Sequence, residues 1–305
     1  MKLRRMTPKR MNTSGMAQYR IRIAPLVRQL RTAVMALALA GACLPALAAA
    51  PGLRAQPTPF SAGPIGAEPP PGWMLQKLPK VERITRFDVV EDGGSLVLRA
   101  RSDNGAASLR HSLYADPKLT PILRWRWRTE RLIQAADLTR KAGDDYPARL
   151  YVFFDRRIEQ MSFKERTLFK LGQARYGDEL PSAALCYVWD NRQPVDTVQD
   201  NAYTGFVKMV VVASGDAQIG QWVAFRRDIA ADYRRAFGTE PPAIIGVAVS
   251  TDTDNTGESA VTWFGDIRFE SRDAPQAPAK PPAKPQAKPP VKPGKRAADA
   301  KGAGR

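Results

Sequence analysis

Between residues 72 and 270, apolar and polar positions alternate with a period of two in run after run. That period is the mark of strands with one buried face. Leu96 and Leu98 oppose Val97 and Arg99, and Trp125 and Trp127 share one side of a run whose other side is Arg124, Arg126 and Arg128. Strands are predicted over residues 85–90, 95–101, 106–113, 122–129, 148–155, 183–190, 206–213, 221–228, 243–250 and 259–270. Asp92-Gly93-Gly94 is a hairpin signal, and Asp103-Asn104-Gly105 and Ala213-Ser214-Gly215-Asp216 mark further turns. Residues 158–175 and 228–237 read as helical insertions. The second carries a capping residue in Asp228, a terminator in Gly238, and Pro241-Pro242 to block its continuation. Spacings between strands are too short for the crossover helices of a parallel sheet. The fold class expected is therefore all-β: an antiparallel β-sandwich with one or two short helical insertions, forming one domain over residues 72–270 and acting as a monomer.

The ends of the chain differ from this body. The net charge of +17 suggests nucleic acid at first sight. Residues 1–31 hold nine Lys/Arg and no acid, however, and residues 271–305 hold nine against Asp273 and Asp299, so the intervening body is nearly neutral. Nucleic-acid binding is not expected of it. Residues 1–48 read as an export signal, with arginines before an Ala/Leu-rich run and cleavage after Ala46-Leu47-Ala48. The location expected is periplasmic or secreted, with no stable membrane span. Residues 49–71 are rich in Pro and Gly and read as a linker; residues 271–305 read as a disordered Ala/Pro/Lys tail suited to weak contact with anionic envelope polymers. Once Cys43 leaves with the leader, Cys186 is the only cysteine and reads as a core residue.

Candidate chemistry concentrates in short loops. Asp252, Asp254, Asn255 and Glu258 crowd the turn that closes the last predicted strand pair. Their oxygens could hold calcium, the one metal expected and the only cofactor considered, although Trp263 stands where an EF-hand needs a bidentate Glu. The alternative is an Asx-type turn in which Asp and Asn bond their own backbone. Asp144 and Asp145 precede one strong strand and Asp155 ends it. Paired carboxylates at sheet ends could run glycoside hydrolysis at the right separation. Arg124, Arg126 and Arg128 either pair with acids such as Asp155 or Asp190, or line, with an aromatic from a nearby loop, a concave face that binds a sugar; Asp144, Asp145 and Asp155 are further candidate ligand-binding residues. His111 is the only histidine, too few for a His-based zinc site.

Several blocks together resemble the DUF3047 family of bacterial proteins of unknown function. They are Leu123-Arg124-Trp125-Arg126-Trp127-Arg128, Asp144-Asp145-Tyr146-Pro147-Ala148-Arg149-Leu150-Tyr151-Val152-Phe153-Phe154-Asp155, Tyr187-Val188-Trp189, Asp232-Tyr233-Arg234-Arg235-Ala236-Phe237-Gly238, and Asp252-Thr253-Asp254-Asn255-Thr256. The resemblance implies an exported domain of jelly-roll or galactose-binding-like type and implies no reaction. The function expected is non-catalytic binding of a glycan or other polar cell-envelope ligand. The alternatives are Asp-based glycoside hydrolysis and a purely structural envelope role.

Overall fold

A computed structural model describes residues 55–78, 81–176 and 181–275. The expected export signal, Cys43 and all but the start of the Ala/Pro/Lys tail lie outside them. Among the described residues thirteen strands, numbered in chain order, form two sheets. The larger contains β1 (Met74–Lys77), β4 (Ala107–Ala115), β11 (Ile244–Asp252), β6 (Tyr146–Phe154), β7 (Ala183–Asp190), β9 (Thr204–Ser214) and β8 (Val198–Asn201), in that spatial order. The smaller runs β10 (Val223–Asp228), β5 (Ile122–Thr129), β12 (Ser259–Phe264), β3 (Ser95–Asp103), β2 (Arg86–Asp92), with β13 (Arg268–Glu270) also on β5. The expectation of an all-antiparallel sandwich needs one correction, because β7 and β9 run parallel. The intervening β8 turns back antiparallel to β9 at the sheet edge, so a short strand takes the place of a crossover helix.

The two sheets enclose a common core. Leu109, Leu150, Val152, Leu185, Tyr187 and Val249 from the larger meet Phe87, Leu98, Trp125, Trp127 and Phe264 from the smaller. Trp125 and Trp127 point inward as their alternation requires; Trp125 stacks on Phe225 at 4.9 Å. The larger sheet also buries its outer face. Cys186, Val188, Met209 and Val211 pack there under Leu138, from the long connection before β6. With both faces covered, β7 is an unbroken apolar run rather than an alternating one.

The chain passes repeatedly from one sheet to the other, which changes the meaning of two turns. The Asp252–Glu258 loop joins β11 of the larger sheet to β12 of the smaller, so it is an arch between layers and not a hairpin. The Asn104-Gly105 turn makes the neighbouring arch from β3 to β4. The two are laced together: the Thr253 N–H donates to Gly105 O (2.9 Å) and the Asn104 N–H to Glu258 O (2.9 Å). Buried hydroxyls complete the seam. Thr85 donates to Thr251 O (2.6 Å), Ser102 to Gly105 O (2.6 Å), and Thr251 and Thr262 both donate to Pro147 O (2.9 and 2.6 Å). At Gly105 a side chain would strike the Arg83 carbonyl, at 2.7 Å, so this arch needs glycine.

Residues 55–71, expected as a linker, pack against the domain where described. Phe60 is buried and stacks on Trp73 at 4.7 Å. The Thr58 N–H donates to His111 Nε2 at 3.0 Å, and the Gln56 side chain pairs with both backbone groups of Phe269. His111 is therefore a structural anchor. Pro and Gly content hid this because few apolar anchors carry the packing.

Helix α1 (Phe163–Tyr176) starts later than the sequence pattern suggests. Ser162 and Glu165 form a capping box there: the Ser162 N–H donates to Glu165 (2.8 Å) and the Glu165 N–H to Ser162 Oγ (3.2 Å). A single 3₁₀ turn, Ile158–Gln160, precedes it. Helix α2 (Ile229–Phe237) is capped as expected, with the Ala231 N–H donating to Asp228 (3.0 Å) and Gly238 at φ 72°. Its Asp232 is buried, accepts the Tyr187 hydroxyl (2.9 Å) and takes a two-pronged bond from Arg227 (2.9 and 2.7 Å), with Arg235 at 3.1 Å. One carboxylate thus ties α2 to both sheets. Asp232→Ala leaves two partly exposed arginines with Asp196 as their remaining partner and is expected to cost about 1.5–3 kcal/mol, against about 1 kcal/mol for Tyr187→Phe. Urea unfolding reads both, and a midpoint unmoved by Asp232→Ala would refute this role.

Candidate functional site

β6 carries the candidate chemistry along one face. Alternation puts Arg149, Tyr151 and Phe153 on the outer face of the larger sheet, with Asp144 and Asp145 just before the strand and Asp155 just after it. Gly143 precedes the pair because the backbone passes Asp137 too closely for a side chain, which would lie 2.7 Å from the Asp137 nitrogen.

An acidic cluster forms at the start of the strand. Carboxylate oxygens of Asp145, Asp252 and Asp254 lie within 4.8 Å of one another. Asp145 accepts the N–H groups of Asn255 (3.3 Å) and Thr256 (2.7 Å), bridging the β6 entry to the arch. Arg149, only 2 % exposed, forks onto Asp252 at 2.8 and 2.5 Å, and its guanidinium also reaches the Asp144 carbonyl and the Tyr151 hydroxyl. The Asp144 carboxylate lies 3.5 Å from Arg149 and accepts from the Asn201 amide at 3.2 Å. Four carboxylates therefore face one guanidinium. Burial pushes the Asp252 carboxyl up to about 8, against the pull of Arg149 and with the push of Asp145, Asp144 and Asp254. Burial and Asp145 raise Asp254 as well. Burial opposes the charge on Arg149, but Asp252, Tyr151 and Asp144 outweigh it, holding the guanidinium well above its ordinary value.

The other two residues expected at this loop turn elsewhere. Glu258 accepts the N–H groups of Gln134 (3.1 Å) and Ala135 (2.9 Å), and the Asn255 side-chain amide donates to the Tyr203 hydroxyl (3.2 Å). The carboxylates that could hold a cation are thus Asp145, Asp252 and Asp254. The local chemistry is calcium-like, with oxygen donors only.

The three arginines of β5 lie on the outer face of the smaller sheet, in a different layer from Asp144, Asp145 and Asp155. Arg124 pairs with Glu270 at 2.6 Å and Arg128 with Asp92 at 3.0 Å. Arg126 lies over the Trp222 ring at 4.4 Å and Arg128 over Trp263 at 4.2 Å. Their partners are not Asp155 or Asp190. Asp190 is buried and accepts the backbone N–H groups of Arg192 and Gln193.

Asp155 lines a cleft of about 520 Å³ at the far end of β6. Arg110 and Ile245 from β4 and β11, Phe153, Arg157 and Phe169 also line it. Arg110 lies 5.1 Å from the Phe153 ring centre, and its Nε is buried with no hydrogen-bond partner. Phe153 stacks on Tyr151 (5.9 Å, 11° between planes), extending an aromatic surface back towards Arg149. Asp155 stands about ten residues from Asp144 and Asp145 along a strand rising about 3.3 Å per residue, roughly 30 Å in all. A glycosidase pair needs about 5–10 Å, so Asp155 cannot serve with either as paired catalytic carboxylates. Arg110, Phe153 and Arg149 were missed as site residues. The alternation Arg149-x-Tyr151-x-Phe153-x-Asp155 was the available signal, but Arg110 joins it only through sheet order.

The family model of DUF3047, proteins of unknown function, matches residues 71–268, and the chain belongs to this family. No curated protein matches the sequence. Among solved structures, the chain is similar to a β-1,2-glucanase from Parabacteroides distasonis (9 % identity, TM-score 0.37), with 72 % of this chain aligned and 26 % of the glucanase. It therefore spans about a quarter of that enzyme. The family 30 carbohydrate-binding module of a cellulosomal cellulase from Clostridium thermocellum aligns with 72 % of this chain and 98 % of its own (14 %, 0.32). A family 12 xyloglucanase from Bacillus licheniformis aligns with 70 % and 98 % (8 %, 0.38). Likeness this remote carries no information on ligand or reaction. Among the described residues, no helix is long and apolar enough to cross a membrane.

The raised Asp252 carboxyl sets a pH dependence. An unfolded Asp titrates near 3.9 and the folded one near 8. Between these values the native state holds a proton that the unfolded chain lacks, so stability falls as pH rises through the window. Asp252→Asn removes that component. Urea midpoints across the window should decline more steeply for the native chain than for Asp252→Asn; parallel profiles would contradict the assignment.

Proposed function

We propose that this chain is an exported, non-catalytic binding domain of jelly-roll type, and that the outer-face cleft takes a glycan or other polar polymer of the cell envelope. The observation that carries the reading is Arg110. Its guanidinium lies against the Phe153 ring in an open cleft with Asp155 on the lining. Arg110 lines the open cleft, so a ligand oxygen can take the guanidinium donors on that side. An aromatic face beside charged hydrogen-bonding groups suits a sugar ring, apolar on one face and hydroxyl-rich at its edge.

A glycan array followed by calorimetry with a captured oligosaccharide tests this reading. Arg110→Ala is expected to weaken binding about tenfold, the loss of roughly one charge-assisted hydrogen bond. Arg126→Ala, on the other sheet, should leave it unchanged. Equal loss in both variants, or no binding across envelope glycans, would defeat the cleft as the site.

A second reading concerns the acidic cluster, and the convergence of Asp145, Asp252 and Asp254 favours it. A calcium ion there would offset the excess negative charge and rigidify the arch. Calcium is expected to raise the melting temperature, more at pH about 8 than at about 5 because protons compete for the same oxygens. Asp254→Asn should abolish the increment. Melting curves insensitive to calcium and chelator at both pH values would rule the ion out.

A further inference from the structure

Helix α1 shows the solvent apolar side chains that no other described residue covers. Phe163 is 87 % exposed, Leu171 67 % and Leu168 51 %. The helix is held to the domain from its other side, where Phe169 is buried against Phe206 (5.3 Å) and Met161. At about 100° per residue, Lys170, Phe163, Thr167, Leu171, Lys164 and Leu168 fall on one arc of roughly 160°. Lys164 and Lys170 are exposed, and no acidic residue falls on this arc. Of the described acids of the insertion, Glu165 is drawn to Arg156 (2.9 Å) and the cap, and Glu159 lines the cleft.

Apolar side chains interleaved with lysines, and no carboxylate among them, are complementary to an anionic lipid surface. The ring and the leucines enter the headgroup boundary while the lysine stems reach back to the phosphates. We propose that α1 is a peripheral membrane-docking helix, laid flat on an anionic phospholipid bilayer through Phe163, Leu168 and Leu171, with Lys164 and Lys170 on the headgroups. A second copy of the chain would bury the apolar residues equally well. It would, however, bring the Lys164 and Lys170 of both copies onto one contact, and no acid on the arc could offset them.

The test is co-sedimentation of the full chain with phosphatidylcholine vesicles prepared with and without phosphatidylglycerol. Binding is expected only with the anionic lipid. The cationic tail also favours such vesicles, so the deciding variant is Phe163→Ser with Leu171→Ser, which keeps every charge. It should bind about tenfold more weakly, with an unchanged melting temperature. Leu171→Trp supplies a second reading: the emission it adds should shift to the blue on vesicles and be quenched by brominated lipid. Native-like sedimentation of the double variant would assign all binding to the tail and overturn the proposal, as would an added Leu171→Trp emission that brominated lipid leaves unquenched. Sedimentation velocity showing a dimer that the double variant dissolves would also overturn it, since the face would then belong to a second copy.

Discussion

The Arg149–Asp252 pair is the contact on which the geometry of the β6 face depends. Both side chains are almost wholly inaccessible, and burying a guanidinium returns its desolvation cost only when nearly every donor is used. Here the guanidinium is nearly saturated, by the forked carboxylate, the Asp144 carbonyl and the Tyr151 hydroxyl. The β6–β11 register shifts between Ser250 and Asp252, and Asp252 comes to lie opposite Tyr146 at the strand's start. That irregularity brings the arch to the β6 entry, where Asp145 receives the Asn255 and Thr256 N–H groups. Remove the fork, and the arch loses one of its ties to β6 while the acidic cluster loses the charge that offsets it.

Much of this fold was legible in the sequence, in proportion to how local its cause is. β5 and β7 occupy the predicted residues, because alternation and an apolar run are properties of the segment itself. The cap and terminator of α2 were equally local. β1 and β8 were not seen: each is a four-residue edge strand with little burial, so neither has an apolar period. The predicted strand 259–270 breaks into β12 and β13 around Gly265, where a side chain would strike Arg126 at 2.6 Å. Sheet membership was out of reach. The Asp252–Glu258 loop has the composition of a tight hairpin turn, and only the pairing of β12 with β3 and β5 makes it an arch.

The candidate site divides along the same line. Asp252 and Asp254 are two apart on one loop, and their convergence with Asp145 follows from the proximity of β6 and β11. Glu258 belongs to the same loop by sequence, yet past the arch its side chain serves the backbone at Gln134 and Ala135. The β5 arginines could be placed on one face but not given partners, since Glu270 and Asp92 reach them from segments far apart in the chain. Arg110 shows the limit most clearly. It is one of several outward residues on β4, and it acquires its environment only because β11 and then β6 lie beside that strand.

The helical insertion after β6 joins these threads. Its first turns and Phe169 wall the cleft, while the opposite side of α1 carries Phe163, Leu168 and Leu171 into solvent. One short segment thus separates a polar, aromatic-floored cleft from a cationic apolar face, and it is anchored through a small cluster of Met161, Phe169 and Phe206 apart from the main core. An element so attached can shift at less cost than a core strand. Movement of α1 would alter the cleft wall without disturbing Arg110 or Phe153, which the larger sheet holds. The rigid part of the cleft and its adjustable part are therefore built from different layers of packing.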